Sequence, residues 1–348
     1  MKTIHGGDIY RNSVNLDFSV NVNPLGIPEP VKEALCRAVE QCGTYPDIHA
    51  EKLKKSVADT HRIPEEHLLF GNGASELFMA VVHALRPKKV VIPVPSFYGY
   101  EHAAGAVTDR ILYYQLKKEN QFLLDEGVFQ HLNEDVDMLF IANPNNPTGA
   151  LSEKAFLIKL AEHCRDKNIT VVLDECFIDF CENGQSMADA VSEFENLIII
   201  QAYTKIFTIP GVRLGFMICG NERLREQVRR QLPEWNLSTF AQAAGIACTE
   251  QTDFVAKTLE YLNAEREFLV DELGRASENQ CIVYPGAANF LMIYSPKPMY
   301  EKMLEKGILI RDCGNFRGLG SGYYRIAIKT RQENEQLLKV IGEINWNE

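Results

Sequence analysis

The sequence predicts an α/β protein in which a mainly parallel sheet lies between helices, followed by a smaller α+β domain. Short apolar runs rich in β-branched residues recur through the middle of the chain. Amphipathic segments such as 153–167 lie between several of them, and strand–helix alternation is typical of parallel sheets. After about Asn221 the pattern changes, and a long helical stretch from Thr239 to Ser277 leads into further strands.

Individual elements follow from these runs. Buried strands are predicted in the order HLLF, KKVVIPV, DMLFIANP, ITVVLDE, NLIIIQAY and LGFMICG. Strands of the smaller domain are predicted within CIVYPGAANFLMIYS, GILIRDC and YYRIAIKT. A closing helix begins at Thr330, because Glu333 follows at the spacing of a capping box. We see no repeat, low-complexity tract or flexible linker.

Composition excludes several classes of function. The chain has 348 residues, 46% of them hydrophobic, which is enough for a large core and suggests two domains. A net charge of −11 argues against nucleic acid or an anionic membrane as the main partner, although local arginines can still bind a small anion. No apolar stretch approaches the ~20 residues that cross a bilayer, and the N-terminus lacks a signal-peptide core. The nine cysteines form no C-x-x-C pair, so we expect reduced thiols in a cytoplasmic protein and no metal site.

Polar residues follow the predicted strands where ligands collect in a parallel sheet. The stretch FGNGASE leaves a strand and opens a helix, with Gly71 and Gly73 in the turn and Ser75 at the helix start. Free amides and the positive helix end would suit a phosphate there. A plain tight turn remains the alternative, since glycine-rich strand–helix turns are common.

Three more polar features follow buried strands. The loop NPNNPTG spans residues 143–149, and Asp174 ends an otherwise apolar strand as either a helix cap or an ion-pair partner. Lys205 comes just after the run LIII, and Arg213 follows before another apolar run. Buried charge is costly unless it is paired or neutralised, so these two cations need a partner.

Taken in order, the phosphate turn, Asn146, Asp174, Lys205 and Arg213 resemble the fold-type I pyridoxal-phosphate enzymes, the aspartate aminotransferase superfamily. The resemblance covers essentially the whole chain. It implies a seven-stranded sheet in a large cofactor-binding domain over residues 31–245. It also implies a small α+β domain over 246–348, against which an N-terminal segment, 1–30, packs.

The resemblance also implies roles at the cofactor ring. Lys205 would carry the cofactor as a Schiff base, because a desolvated amine beside other cations has a lowered pKa. Asp174 would keep the pyridine nitrogen protonated, which makes the ring an electron sink. Asn146 would donate to the phenolate oxygen. Phe97 would stack on the ring, with Tyr100 as the second choice.

The cofactor phosphate would be held by a larger set, consisting of the amides of Gly73 and Ala74 with the side chains of Ser75, Thr204 and Arg213. Tyr45, in GTYPD, resembles the tyrosine that reaches the phosphate from a neighbouring subunit, which implies a homodimer. Two positions depart from the pattern. Ala202 stands where many relatives have a phosphate-binding serine, and Phe177 where many aminotransferases have a tyrosine.

The termini indicate the subfamily. HGGD near the start, LDFSVNVNPLG after it and the segment GILIRDCGNF…YYRIAIKTRQENEQLL resemble the threonine-phosphate decarboxylases of cobalamin biosynthesis. Histidinol-phosphate aminotransferases share YPD, NPNNPTG and paired C-terminal arginines with them. Within this resemblance, the substrate side would be lined by His5, Asn21, Asn146, Arg311 and Arg325. As a bare motif, His-Gly-Gly could instead be a flexible turn.

The expected reaction is decarboxylation of L-threonine O-3-phosphate to (R)-1-aminopropan-2-yl phosphate. A decarboxylase must turn the substrate carboxylate out of the cofactor plane. It can do so if its arginines bind the substrate phosphate and leave the carboxylate unbound. O-phosphoserine stays an alternative substrate, since one methyl group is worth only ~1–3 kcal/mol of discrimination. Histidinol-phosphate or related transamination is the alternative reaction. A non-catalytic regulator is disfavoured, because the chain carries no basic DNA-binding extension.

Overall fold

The computed structural model describes residues 6–181 and 186–346. In chain order its strands are β1 (Leu16–Asp17), β2 (Leu68–Asn72), β3 (Val90–Val94), β4 (Ile111–Gln115), β5 (Met138–Ala142), β6 (Thr170–Asp174), β7 (Leu197–Gln201), β8 (Leu214–Ile218), β9 (Ile282–Tyr284), β10 (Phe290–Tyr294), β11 (Ile308–Leu309), β12 (Arg311–Asp312) and β13 (Tyr323–Ala327). Its helices are α1 (Glu29–Ala38), α2 (Glu51–His61), α3 (Ala74–Leu85), α4 (Tyr98–Gly105), α5 (Lys154–Asp166), α6 (Tyr203–Ile206), α7 (Glu222–Arg229), α8 (Thr239–Thr249), α9 (Thr252–Ala276), α10 (Tyr300–Glu305) and α11 (Arg331–Gly342).

The large sheet has seven strands in the order β2-β8-β7-β6-β5-β3-β4. All neighbouring pairs are parallel except those of β8, which runs antiparallel to both β2 and β7. The predicted mainly parallel, seven-stranded sheet is therefore confirmed. Asp174 pairs with Ala142 on one side and Ile200 on the other, so the carboxyl ends of three central strands meet at one edge.

Side chains of the central strands are buried on both faces of this sheet. Successive residues of β6, Val171 and Val172, belong to separate core clusters, because side chains alternate across a strand. Phe78 of α3 and Tyr100 of α4 pack on one face, whereas Leu160 of α5 packs on the other. Burial on both faces explains why the strands are continuous apolar runs in the sequence.

A second, four-stranded antiparallel sheet has the order β12-β13-β10-β9. Near it, β1 pairs in parallel with β11, which places the N-terminal segment beside the C-terminal part of the chain. The capping box at Thr330 is present, with Thr330 and Glu333 each accepting from the other's backbone N–H. The domain bounds predicted above stay a prediction.

The single long helix expected over 239–277 is wrong in one respect. The chain turns at Glu250 and Gln251, so that two helices, α8 and α9, occupy this stretch. The Gln251 side chain donates to the carbonyl of Ala247 (3.1 Å) and satisfies a backbone group at the end of α8.

Further properties of the described residues bear on function. None of the helices in residues 6–181 and 186–346 combines the length and apolar character needed to span a bilayer. All nine cysteines are free. Across the same ranges, no three His, Cys, Asp or Glu side chains are grouped so that they could hold a metal ion.

Candidate active site

A cavity of ≈ 540 Å³ opens at the carboxyl ends of the central strands of the large sheet. Residues of the N-terminal segment and of the small sheet complete its walls. The sequence-predicted residues that line it are Asn21, Ala74, Ser75, Phe97, Asn146, Asp174, Thr204, Lys205, Arg213, Arg311 and Arg325. Side chains up to 304 positions apart in sequence thus converge on one space, as expected for a site at strand ends.

Three other predicted residues are not among the lining residues: His5, Tyr45 and Gly73, of which Gly73 lies in the turn described below. His5 is outside the described residues. Tyr45 is 79% exposed and does not line its own chain's cavity; its ring packs on Trp235 of the same chain at 4.8 Å between centroids.

The turn between β2 and α3 forms a cradle beside the cavity. Gly73 has φ = 81°, a backbone conformation that favours glycine, and a Cβ there would lie 2.2 Å from Nη2 at the end of the Arg213 side chain. The Gly73 amide departs from the expected donor set, because it donates to the carbonyl of Gly71 (2.7 Å). Ala74 and Ser75 begin the 12-residue helix α3, whose first amides have no side-chain cap and suit an anion.

Arg213 does not lie in a core as its apolar neighbours in sequence suggested. Its side chain is exposed toward the cavity, and its guanidinium donates to the carbonyls of Pro210 (3.2 Å) and Asn72 (3.4 Å). Among the described residues it forms no ion pair with a carboxylate. A left-handed backbone (φ = 63°) directs this residue out of the strand that follows. Its charge therefore remains available for an anionic ligand.

Lys205 and Asp174 lie at the base of the cavity. Burial lowers the pKa of the Lys205 amine, and the nearby Arg325 and Arg213 lower it further against the opposing effects of Cys176 and Asp174. Burial also raises the pKa of Asp174. The Asp174 carboxylate accepts from the backbone N–H of Cys176 (2.9 Å) and from the hydroxyl of Tyr100. It is therefore a turn acceptor in the structure, and a cationic ligand nearby would stabilise its charged form.

The opposite wall carries two arginines on neighbouring strands. Arg311 of β12 and Arg325 of β13 are direct cross-strand partners, an arrangement that is destabilising for like charges unless an anion lies between them. Arg325 donates to Oδ1 of Asn146 (2.5 Å) and to the carbonyl of Ser19 (2.7 Å), whereas Arg311 donates to Asn315 (2.8 Å). Burial lowers the pKa of Arg325 to about 10, and its buried Nε has no partner among the described residues.

Sequence reasoning missed several lining residues. Ser19, Cys176 and Phe316 line the cavity, and so do Glu101 and Arg317, which form an ion pair. Ser19 and Phe316 lay within segments singled out beforehand, and Cys176 follows the predicted Asp174 by two residues. The others had no sequence signal, because their role depends on contacts between distant segments.

The donor set fits pyridoxal phosphate. A lysine of lowered pKa, a buried carboxylate and an amide lie in one cavity with a helix start and an arginine that could hold a phosphate. Because Arg325 engages Oδ1 of Asn146, the amide NH₂ of that residue is directed away from the arginine and can donate to a ligand oxygen.

Comparison with known proteins gives a consistent result. Residues 13–341 match the family described as aminotransferase class I and II. The chain is 32% identical to the threonine-phosphate decarboxylase of Salmonella typhimurium, over 98% of this chain and 96% of that protein. It is also 32% identical to the histidinol-phosphate aminotransferase of Clostridium kluyveri, over 86% of this chain and 84% of that protein.

Solved structures agree. The histidinol-phosphate aminotransferase of Clostridium acetobutylicum superposes with a TM-score of 0.88 at 30% identity, covering 94% of this chain and 98% of that one. The L-threonine-O-3-phosphate decarboxylase of Porphyromonas gingivalis has the same fold, with a TM-score of 0.85 at 23% identity over 94% of this chain and 98% of that one. The chain therefore belongs to the class I and II aminotransferase family and is a pyridoxal-phosphate-dependent enzyme of fold type I.

Proposed function

We propose that this enzyme decarboxylates L-threonine O-3-phosphate to (R)-1-aminopropan-2-yl phosphate in cobalamin biosynthesis. The observation that carries the choice of reaction is the position of Gly6 and Gly7, the two described residues of the His-Gly-Gly motif. Gly6 lines the cavity, and a Cβ on it would lie 2.4 Å from the carbonyl oxygen of Ser19. Gly7 has φ = 83° and donates to the Ser19 hydroxyl (2.7 Å), so this stretch is a built wall rather than a loose turn.

Two relatives support the pathway. The Salmonella decarboxylase is similar along nearly the whole chain. The adenosylcobalamin biosynthesis bifunctional protein CobDQ of Leptospira interrogans is 30% identical over 98% of this chain and 41% of that protein.

The cofactor supplies an electron sink when bound. One group of cavity residues would contact its ring and another would hold its phosphate group. Lys205 would hold the cofactor covalently, Asp174 would keep a proton on the ring nitrogen, and the Asn146 amide would donate to the ring oxygen. Phe97 would pack against the ring. The phosphate group would be held at the other end of the cavity by the amides of Ala74 and Ser75, the hydroxyls of Ser75 and Thr204, and the Arg213 guanidinium.

On the substrate side, Arg311 and Arg325 would hold the substrate phosphate, with Asn21 close by. Asn21 is buried, and its Oδ1 has no partner among the described residues, so it can accept from a ligand donor such as the substrate amine. With Arg311 and Arg325 occupied by the phosphate, neither guanidinium would hold the substrate carboxylate, which would then be free to leave as carbon dioxide. Lys205, held with a low pKa, would then deliver a proton to Cα after carbon dioxide leaves.

The test is a product analysis with purified holoenzyme. We expect O-phospho-L-threonine to release carbon dioxide at the same rate with and without 2-oxoglutarate. Release from O-phosphoserine at a comparable kcat/KM would broaden the substrate to both phosphorylated amino acids. Stoichiometric glutamate formation from histidinol phosphate and 2-oxoglutarate, without carbon dioxide, would replace the proposal by the aminotransferase reaction.

We further propose that the enzyme works as a cytoplasmic homodimer in which Tyr45 contributes to the partner's phosphate site. The large exposure of Tyr45 supports this assignment, since an aromatic side chain exposed by 79% is suited to an interface.

A further inference from the structure

An ion pair lies in the cavity wall between two distant segments. Glu101 belongs to α4, and Arg317 lies in the loop between β12 and β13. Nε of Arg317 is 3.0 Å from Oε2 of Glu101, and Nη2 is 2.7 Å from Oε1. Two parallel N–H···O bonds fix the plane of a guanidinium as well as its place.

Two further contacts hold this arginine and its loop. The guanidinium carbon of Arg317 lies 4.1 Å from the centre of the Tyr113 ring on β4. The neighbouring Gly318 carbonyl accepts from the side-chain amide of Gln115 (3.2 Å). Arg317 is thus held from two sides although half of its side chain is exposed. A half-exposed arginine would otherwise sample many rotamers and bind a ligand poorly.

The charge balance of the cavity shows what this arrangement is suited to bind. Five basic and two acidic side chains line it, in a chain whose net charge is −11. Arg213 lies beside the phosphate turn and Lys205 at the base, whereas Arg311 and Arg325 lie on β12 and β13 and Arg317 lies on the loop that joins these two strands. Glu101 occupies only the Nε and Nη2 edge of Arg317, which leaves the Nη1 group outside the pair.

We propose that Arg317 determines specificity by binding the substrate's phosphate group together with Arg311, and that Glu101 is its positioning residue. The inference rests on the proposed function in taking the substrate to be a phosphorylated amino acid. Arg311 already donates to the carbonyl of Asp312 and to Asn315, so two of its five N–H groups are committed within the chain. A third guanidinium beside Arg311 and Arg325, already oriented by Glu101, would add hydrogen bonds to the phosphate oxygens.

The decisive comparison is Arg317→Met with Lys159→Met as its matched control. Lys159 also pairs with a glutamate, Glu126 (2.5 Å), and also lies over an aromatic ring, but it does not line the cavity. In Arg317→Met holoenzyme we expect the KM for O-phospho-L-threonine and the Kd for inorganic phosphate, measured by calorimetry, to rise about tenfold. We expect kcat to stay within about twofold, and Lys159→Met to change none of these values.

Inhibition by threonine, which lacks the phosphate, distinguishes two roles of Arg317. In one role Arg317 binds the substrate phosphate, and in the other it only holds the loop between β12 and β13 in place. If Arg317 binds phosphate, the inhibition constant of threonine is the same in wild type and Arg317→Met. Glu101→Gln should raise the KM for the phosphorylated substrate by less than Arg317→Met, and the double variant should be no worse than Arg317→Met alone. Equal losses for threonine and O-phospho-L-threonine, or an unchanged Kd for phosphate, would overturn the proposal.

The phosphate measurement does not depend on which reaction the enzyme performs. If carbon dioxide release fails while phosphate affinity still depends on Arg317, the proposed function is wrong and this inference stands. If carbon dioxide is released but the Kd for phosphate is the same in wild type and Arg317→Met, the inference about Arg317 is wrong and the proposed function stands.

Discussion

Lys205 is the residue on which cofactor attachment depends. Lys205→Ala should yield protein that is not tagged by the cofactor on borohydride reduction, whereas the wild type should be yellow and tagged at this position. The reason is that the amine lies in the cavity with a pKa lowered by burial, which favours the neutral nucleophile. Mass spectrometry of reduced, digested protein checks it. Tagging of the variant at another lysine would show that the assignment is wrong.

Ala202 tests how well the phosphate site is filled. The residue is 5% exposed, lines the cavity and precedes α6 with extended backbone angles. A hydrogen bond to a charged group is worth ~1.5–3 kcal/mol, less what an ordered water already supplies. We expect Ala202→Ser to retain the cofactor several-fold more tightly in equilibrium dialysis, with little change in turnover. Unchanged retention would mean that the new hydroxyl caps α6 instead.

Glu175 makes the stability of the fold depend on pH. Burial raises the pKa of its carboxyl to about 7, although Ser186, Met187 and Gln201 donate to it. A folded pKa above the unfolded value gives stability that is complete below about pH 4.5 and lost as the pH rises through about 7.

Glu175→Gln removes this titration. The buried Oε1 of Gln201 has no partner in the described structure. If the Gln201 amide rotates, this oxygen can accept a hydrogen bond from the side-chain NH₂ introduced at position 175. Urea unfolding should show the variant more stable than wild type at pH 8, by up to about 3 kcal/mol, and closer to it at pH 5. A difference that is the same at both pH values would contradict the raised pKa.

At the scale of elements, β8 and α3 meet through glycine. A Cβ on Gly215 of β8 would lie 2.6 Å from the Ala74 amide nitrogen, directly behind the phosphate cradle. Gly215→Ala should therefore displace the start of α3, costing about 1–3 kcal/mol in unfolding free energy and weakening cofactor retention. Gly342→Ala is the matched control, because no atom lies within 4 Å of its added methyl. Equal cofactor retention in both variants would argue against a rigid cradle.

Elements that leave a local pattern in the sequence could be predicted, whereas features that depend on contacts between distant segments could not. The strands β5, β6 and β7 were recognisable because burial on both faces makes them continuous apolar runs. The break between α8 and α9 was not, since no proline or glycine marks it. The residues Asp174 and Lys205 were found through the strands that carry them. The Glu101–Arg317 pair could not be found, because 216 positions separate its members and only the tertiary fold brings them together.

At the scale of the whole molecule, assembly is the open prediction. Tyr45→Phe keeps the ring that packs on Trp235 but removes the hydroxyl proposed to reach the partner's phosphate site. We expect both proteins to be dimers by sedimentation and their apoenzymes to have the same thermal stability, with looser cofactor binding in the variant. A catalytically competent wild-type monomer would refute the shared site.

The pairing of β1 near the N-terminus with β11 in the C-terminal part of the chain affects how the protein folds during translation. Phe18 donates to the carbonyl of Leu309 and accepts from the amide of Ala327, so one wall of the cavity is secured by the last fifth of the polypeptide. Contacts between such distant segments cannot form while that part is still in the ribosome. The wall of the cavity that the N-terminal segment and the small sheet supply is therefore completed only after translation of the strands near residue 327. Until then a nascent chain can fold its large sheet while the reactive lysine stays open to water.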